Sequence, residues 1–460
     1  MTGIDLSLLA GLPGLIALIV CIKRGPERAF LDVYLPALLL VPDACRTSIS
    51  GQTNFAESAI IPIAIFYFWN HRRRWEWNLS DLLVITFVAL VTISQYMNTD
   101  IAVAKNLAVH LIVAGLLPYV VAKGLAARED MCVEVAKRIV ILAVAVAIAS
   151  VYEFRMTANL FRTVMSPFYP ILSVSEIPAF RYGFVRVVGP WNHPILAGII
   201  FAVAYRIARW LDWTHAWLGN VPFLPISKVR FCELALLAGS AMTISRGPWI
   251  GAAVAVVIVT LLRVRHRSYV TAFSAAAIFI LMVPAYSSFD TYINTGRDQI
   301  QDESQDSVAY RREMIQEYII IAEERPAWGW GVSGDGEALY PIIDGMESID
   351  NHYLLLALTY GVYALAAMVL ILLWIPLRLF AFVLRHPRDE PMTVLAVTLI
   401  GVFVIFIVSI STSWLGAQTQ PLLFLSAGWS EALLLTPLLV RARVPSPVRR
   451  VSYGFERVMV

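Results

Sequence analysis

Charge is scarce in this sequence. Of its 460 residues only 15% are Asp, Glu, Lys or Arg, while 58% are apolar; a soluble chain carries roughly 25% charged residues. So apolar a surface excludes a water-soluble globular protein and leaves lipid as the solvent for most of the chain. Cysteine is also sparse: Cys21, Cys45, Cys132 and Cys232 form no CxxC pair, so neither a disulfide framework nor a zinc site is suggested. No basic stripe interrupts the apolar runs for long, so the net charge of +3 does not point to nucleic acid. No Lys or Arg precedes the first apolar run, which begins at Ile4, so it reads as a retained helix rather than a cleaved signal peptide. Internal repeats and a separate soluble domain are absent too. The expectation is one polytopic membrane domain over 1–460.

What is present is a series of long apolar runs. A spanning helix takes about 20 mainly apolar residues, and candidate spans fall at 4–22, 29–42, 56–70, 81–97, 101–122, 136–155, 190–209, 230–245, 248–264, 268–286, 352–378, 391–412 and 419–440. The fold class expected is therefore an all-α integral membrane protein of about 12–13 transmembrane helices. The gaps that follow odd-numbered spans are basic, with Lys23, Arg24 and Arg28 after the first and Arg378, Arg385 and Arg388 after the eleventh. Lys and Arg accumulate in cytoplasmic loops. The alternation predicts a multi-pass protein of the bacterial inner membrane with an external N-terminus and a cytoplasmic C-terminus. The external gaps are then 43–55, 98–100, 156–189, 246–247, 287–351 and 413–418. The longest, 287–351, is the large periplasmic loop; Tyr310, Met314, Tyr318 and Ile321 recur in it at helical spacing and predict an amphipathic helix near 306–324, ended by Pro326.

Four external stretches carry the residues with chemical potential: Arg186-Val-Val-Gly189-Pro-Trp-Asn-His193-Pro194; Ser245-Arg246-Gly247-Pro248-Trp249; Arg311 with Pro326-Ala-Trp-Gly329-Trp-Gly331; and Asp350-Asn351-His352-Tyr353-Leu354. Arg246 is the only charge between Leu234 and Leu262. An arginine at membrane depth is costly and usually faces a polar cavity or a partner, the plainer alternative being an interfacial side chain that snorkels to headgroups. Arg186, Arg311 and Arg46 are further outer-face arginines, and a guanidinium fork suits phosphate; singly, each also reads as a solvated loop charge. Asp350 adjoins an apolar span and is a candidate base, as is His352 two residues on. His193 reads first as a helix-start residue beside Pro194. Gly329 and Gly331 read as turns, Gly247 as the pivot of a sharp turn between two helices. Trp330 and Tyr353 suit either interface anchoring or stacking on sugar rings.

The order R-x-x-G…HP, SRG-x-W, R…P-x-x-G-x-G, DN-x-YL…G resembles the O-antigen polymerase and ligase superfamily, over Arg186 to Gly361, about two-fifths of the chain. The resemblance implies a multi-span (type C) glycosyltransferase that needs no metal or cofactor. Its substrate would be an undecaprenyl-pyrophosphate-linked oligosaccharide, alongside membrane lipid, with a chain-length regulator and export proteins as candidate partners. Arg186 and Arg246 look like the family arginines that hold the leaving pyrophosphate, and Arg311 like the one that starts the loop helix. Aligned on Gly361, the ligases' His of HN-x-YL falls on Asp350, so the base is open between Asp350 and His352. The DN-x-YL form is more similar to the polymerase branch.

The function expected is an inverting polysaccharide polymerase for exopolysaccharide or O-antigen biosynthesis, with catalytic Asp350, His352, Arg246 and Arg186 and substrate-binding Arg311, Arg46, His193, Trp330 and Tyr353. The alternatives are a ligase that moves finished glycan to another acceptor and, from a different class, a membrane transporter or a non-catalytic export subunit.

Overall fold

The computed structural model describes residues 6–46, 53–71, 75–126, 129–172, 179–222, 225–264, 303–343, 346 and 348–443. The expected span at 268–286 and the loop start at 287–302 lie outside these. Among the described residues, each of the other twelve expected spans falls on helix: α1 (Leu12–Arg24), α2 (26–40), α3 (Phe55–His71), α4 (Leu79–Asn98), α5 (Ile101–Leu125), α6 (Glu129–Met156), α8 (Pro194–Trp213), α9 (Lys228–Met242), α10 (Arg246–Arg263), α12 (His352–Arg385), α13 (Pro391–Ser409) and α14 (Thr419–Arg443). The described residues also include a short α7 (Leu160–Met165), the loop helix α11 (Glu303–Glu324) and a two-stranded hairpin that pairs β1 (Phe180–Arg181) with β2 (Phe184–Val185). The protein is an all-α multi-span membrane protein. Among the described residues, six helices are long and apolar enough to cross a bilayer: α4, α5, α8, α10, α12 and α13.

Burial separates an inner pair from an outer ring. In the most apolar window of each helix, 89% of residues are buried in α8 and 78% in α13, but only 28% in α10. α10 accordingly turns Ile250, Val254, Val256 and Val257 outward, as a lipid-facing helix must. Lipid tails are as apolar as leucine, so helix association here depends on close packing rather than on expelling water. Small residues provide it. A Cβ at Gly428 would lie 2.0 Å from Tyr119 O, and one at Gly14 would lie 2.8 Å from Ser58 O. These glycines let α14 meet α5 and α1 meet α3 backbone to backbone.

A buried ionic staple ties four helices at one end of the bundle. Lys123 Nζ reaches Asp81 Oδ2 at 2.6 Å, Tyr119 Oη donates to Asp81 Oδ1 at 2.7 Å, and Arg378 Nη1 reaches Glu431 Oε2 at 2.6 Å. Ser80 Oγ and Asn78 Nδ2 donate to the two Glu431 oxygens at 2.6 and 2.7 Å. Each charge has a partner, which removal of one member would take away. Residues 79–81 thus mark one end of α4, and Asn98 the other, where the candidate site lies.

Candidate functional site

The SRG stretch forms the tight connection between α9 and α10. Its turn is not made by Gly247. Thr243, Ile244 and Ser245 make it, with Ile244 at φ +47, a left-handed backbone that is a genuine outlier for a β-branched residue. Gly247 is already helical, and its role is closeness: a Cβ there would fall 2.1 Å from Thr412 Oγ1. The expected pivot is therefore displaced by a few residues, because Gly247 serves the packing of α10 against the end of α13.

Two arginines from the hairpin segment hold this strained turn. Arg186 Nε donates to Thr243 O at 3.2 Å and its Nη2 to Ser245 Oγ at 3.0 Å, while Arg181 Nη1 donates to Ile244 O at 3.1 Å. The Val187 N–H donates to Met242 O at 3.1 Å and docks the segment on α9. Strain maintained by surrounding contacts is typical of functional loops. Ser245 occupies the N-cap of α10 but does not cap it; its hydroxyl donates to Thr243 O at 3.1 Å instead. The first N–H groups of α10 and the Arg246 guanidinium therefore stand together at a helix N-terminus, where a cation opposes the helix dipole and an anion is welcomed. No carboxylate pairs with Arg246 among the described residues. Its Nη2 meets the hydroxyl of Tyr182, with the Tyr182 ring centroid 5.8 Å away. Tyr182 and Gly183 turn the hairpin at φ +53 and +77, a left-handed pair that hairpins use but that tyrosine seldom occupies.

The segment after Arg186 is clamped from below. Glu153 accepts the Val188 N–H at 3.0 Å and the Gly189 N–H at 2.9 Å, and Asn159 Nδ2 donates to Gly189 O at 2.7 Å. His193 caps α8: the Ile195 N–H donates to its Nδ1 at 3.2 Å, and its ring lies 4.8 Å from the Trp414 ring. Burial, reinforced by Arg186, pushes the His193 imidazole down to about 4. It is neutral at physiological pH.

The connection 410–418 is the hub that joins the separate stretches. Thr412 abuts Gly247, Trp414 lies against the His193 ring at a tilt of 57°, and the His352 N–H is shared by Ile410 O at 2.9 Å and Ser413 O at 3.1 Å. Asn351 caps α12, accepting from the Tyr353 and Leu354 N–H groups at 3.0 and 3.2 Å. Asp350 and His352 part company across this cap. Asp350 is one-quarter exposed and lies 3.4 Å from Arg311 Nη2. His352 is 8% exposed, and its Nδ1 is buried without a hydrogen-bond partner among the described residues. Helix α11 sets the position of Asp350: Tyr318 Oη donates to Met346 O at 2.8 Å and Tyr310 Oη to Ser348 O at 3.0 Å, while Met314 and Tyr318 pack on Ile349, Leu354 and Leu358.

The P-x-x-G-x-G stretch docks onto a break in α12. Gly361, at φ +81 and ψ 177, interrupts the helix in a region open essentially to glycine alone. The freed carbonyls of Leu358 and Thr359 accept the Trp330 and Gly331 N–H groups at 2.8 Å each, and the Val362 N–H donates to Pro326 O at 2.7 Å. From α4, Ser94 Oγ donates to Trp328 O at 2.6 Å and Gln95 Nε2 to Val332 O at 2.6 Å. Gly329 and Gly331 have φ of +60 and +80, as turns require.

Arg186 and Arg246 thus meet at one corner, with His193 beside them; Asp350 and Arg311 form a second pair tied to the corner through the 410–414 hub. The remaining candidates do not join these two groups directly. Arg46 lines a pocket with Asn54, Glu57, His110 and Gln418 of the hub, whose Nε2 donates to Val41 O at 2.9 Å and Pro190 O at 3.2 Å, and its charge is met by Asp43 Oδ2 at 2.6 Å. Trp330 Nε1 donates to Ile321 O at 3.1 Å and Tyr353 Oη to Ile407 O at 3.1 Å, so the polar atoms of both rings serve the fold. Sequence reasoning passed over Tyr182, Arg181, Thr412 and Trp414. The hairpin signal in Tyr182-Gly183, between alternating aromatics, was the one clue to the first two.

Fold and site together define a multi-span membrane protein with an arginine corner at one end of its helix bundle. The family described as O-antigen ligase matches residues 232–369, a stretch that takes in Arg246, Arg311, Asp350, His352 and Gly361 but neither Arg186 nor the 410–418 hub. Over that stretch, which is less than a third of the chain, the protein is similar to the O-antigen ligase family. No curated protein matches the sequence.

Proposed function

We propose that the protein is a polysaccharide polymerase of the bacterial inner membrane, acting at the periplasmic face on an undecaprenyl-pyrophosphate-linked oligosaccharide. The observation that carries this reading is the convergence of Arg186 and Arg246 on one strained turn at the uncapped N-terminus of α10. In the reaction, an acceptor sugar hydroxyl forms a bond to the anomeric carbon of the donor glycan. The bond from that carbon to the pyrophosphate oxygen breaks, and the electron pair leaves with the pyrophosphate. Preorganised cations aimed at that growing charge stabilise the transition state. Asp350 takes the hydroxyl proton, with Arg311 orienting the carboxylate. A single displacement inverts the anomeric centre and uses no metal.

Aspartate at 350 favours polymerase over ligase. A transporter reading is disfavoured because the site's arginines cluster at one end of the helices rather than at mid-membrane. The test is Arg246→Ala in a strain lacking the native gene, followed by analysis of the lipid-linked glycan. A polymerase leaves single repeat units on the carrier, with polymerisation down about 100- to 1000-fold, the usual effect of removing one transition-state donor. Long chains retained on the carrier would mean a ligase, and full activity at normal protein level would end the enzymatic role of Arg246.

A further inference from the structure

A second cationic cluster lies at the end of the bundle opposite the arginine corner, around the indole of Trp213. The guanidinium carbons of Arg263, Arg206 and Arg209 stand 3.9, 4.5 and 5.2 Å from that ring's centroid. Three like charges on one indole repel one another, and their pairing is unequal. Arg209 reaches Glu233 at 3.1 Å and Asp212 at 3.4 Å. Arg206 is 3% exposed, and among the described residues its Nε and Nη2 are buried with no hydrogen-bond partner and no carboxylate within ion-pair distance, Glu233 being engaged by Arg209. It sits inside α8, where its stem packs against Gly401 of α13. Snorkelling does not account for it, because a snorkelling arginine brings its head to water or headgroups. A buried cation without an anion is strongly unfavourable, and inside a membrane protein it marks a partner or a ligand by default. Beside it, Trp213, Thr260, Arg263, Arg388 and Asp389 line an open depression.

We propose that this cluster binds a phosphate-bearing anion, with Arg263 at its oxygens, Trp213 as its floor and Arg206 neutralised by it from behind, while Arg388 stays paired with Asp389 at 3.2 Å on the rim. A phospholipid headgroup of the leaflet at this end and free phosphate share that chemistry. The inference is independent of the glycosyl-transfer reading, since it concerns the other end of the molecule.

The full-length protein, purified in a neutral detergent, is followed by thermal unfolding and by native mass spectrometry with phosphatidylglycerol, phosphatidylcholine or sodium phosphate added, chloride balancing the ionic strength. Phosphatidylglycerol should raise the unfolding midpoint and stay bound, phosphatidylcholine should not, and Arg263→Gln should weaken retention about tenfold, as loss of one charge-assisted contact does. Sodium phosphate alone giving the full shift, lost in the same variant, assigns the site to free phosphate. Arg206→Met should abolish the shift while unfolding no earlier than the lipid-free wild type; should it fail to fold, the partly exposed Arg263 decides alone. A response in Arg263→Gln equal to wild type, or an equal loss in Arg385→Gln at the exposed end of α12, overturns the proposal.

Discussion

The division between Asp350 and His352 yields the sharpest prediction. Both lie at the start of α12, two residues apart, yet the cap at Asn351 sends one carboxylate to Arg311 and buries the imidazole under the 410–414 hub. A general base contributes about 10²- to 10⁴-fold, or roughly 3–5 kcal/mol of transition-state stabilisation at 1.36 kcal/mol per tenfold. Asp350→Asn keeps the shape and removes the proton acceptor, so turnover should fall by that factor with little change in donor affinity. His352→Phe should behave differently. The buried Nδ1 has no hydrogen-bond partner among the described residues, and an unsatisfied buried polar atom costs about 1–3 kcal/mol. Replacing it with an apolar ring should leave stability unchanged or slightly raised and activity within about threefold of wild type, a span of under 1 kcal/mol. The assay is single-turnover glycan transfer by the purified protein in liposomes, with synthetic lipid-pyrophosphate donor, together with thermal unfolding of each variant. Asp350→Asn at near wild-type turnover would refute the reasoning, as would a hundredfold loss in His352→Phe at an unchanged unfolding midpoint.

Tyr182→Phe removes the hydroxyl from Arg246 while keeping the ring; for a half-exposed contact worth about 1 kcal/mol, kcat should fall about fivefold with donor KM little changed, and an unchanged kcat would show that the phenol does not position the guanidinium. Lys123→Met leaves Asp81 buried without its cation and should destabilise the protein by about 3–5 kcal/mol, read as early unfolding in detergent; an unchanged midpoint would dismiss the staple. His193 is held down from 6.5 to about 4, so above about 6.5 it is neutral folded or unfolded. As pH falls from there toward 4 the unfolded chain binds the extra proton and stability declines. His193→Asn, which keeps a capping side chain, should flatten the stability profile in that window, and an unaltered profile would place the titration elsewhere.

The apolar runs were legible because helix length in a bilayer is set by hydrocarbon thickness, a local property that a window of sequence contains. Arg246 was legible for the same reason, as a lone charge in an apolar stretch. The strain at Ile244 was not, since nothing in Thr-Ile-Ser marks a left-handed residue. It exists because Arg186 and Arg181, some sixty positions upstream, take the turn's oxygens. Gly247 was misread as a pivot because a small residue signals equally a turn or a close approach, and the approach is to Thr412, 165 positions away.

The amino-acid order by itself determined that the chain lives in lipid, roughly where most of its described helices lie, and which few polar residues had to be accounted for, because these follow from hydration of side chains near one another in the chain. Only the tertiary structure decided which arginines share a corner, that Asp350 rather than His352 faces a cation, that Arg46 is neutralised by Asp43, and that Arg206 is buried with no carboxylate in reach among the described residues. Those outcomes depend on distances between side chains brought together by helix packing, and Coulomb and hydrogen-bond energies depend on separation in space, not along the sequence.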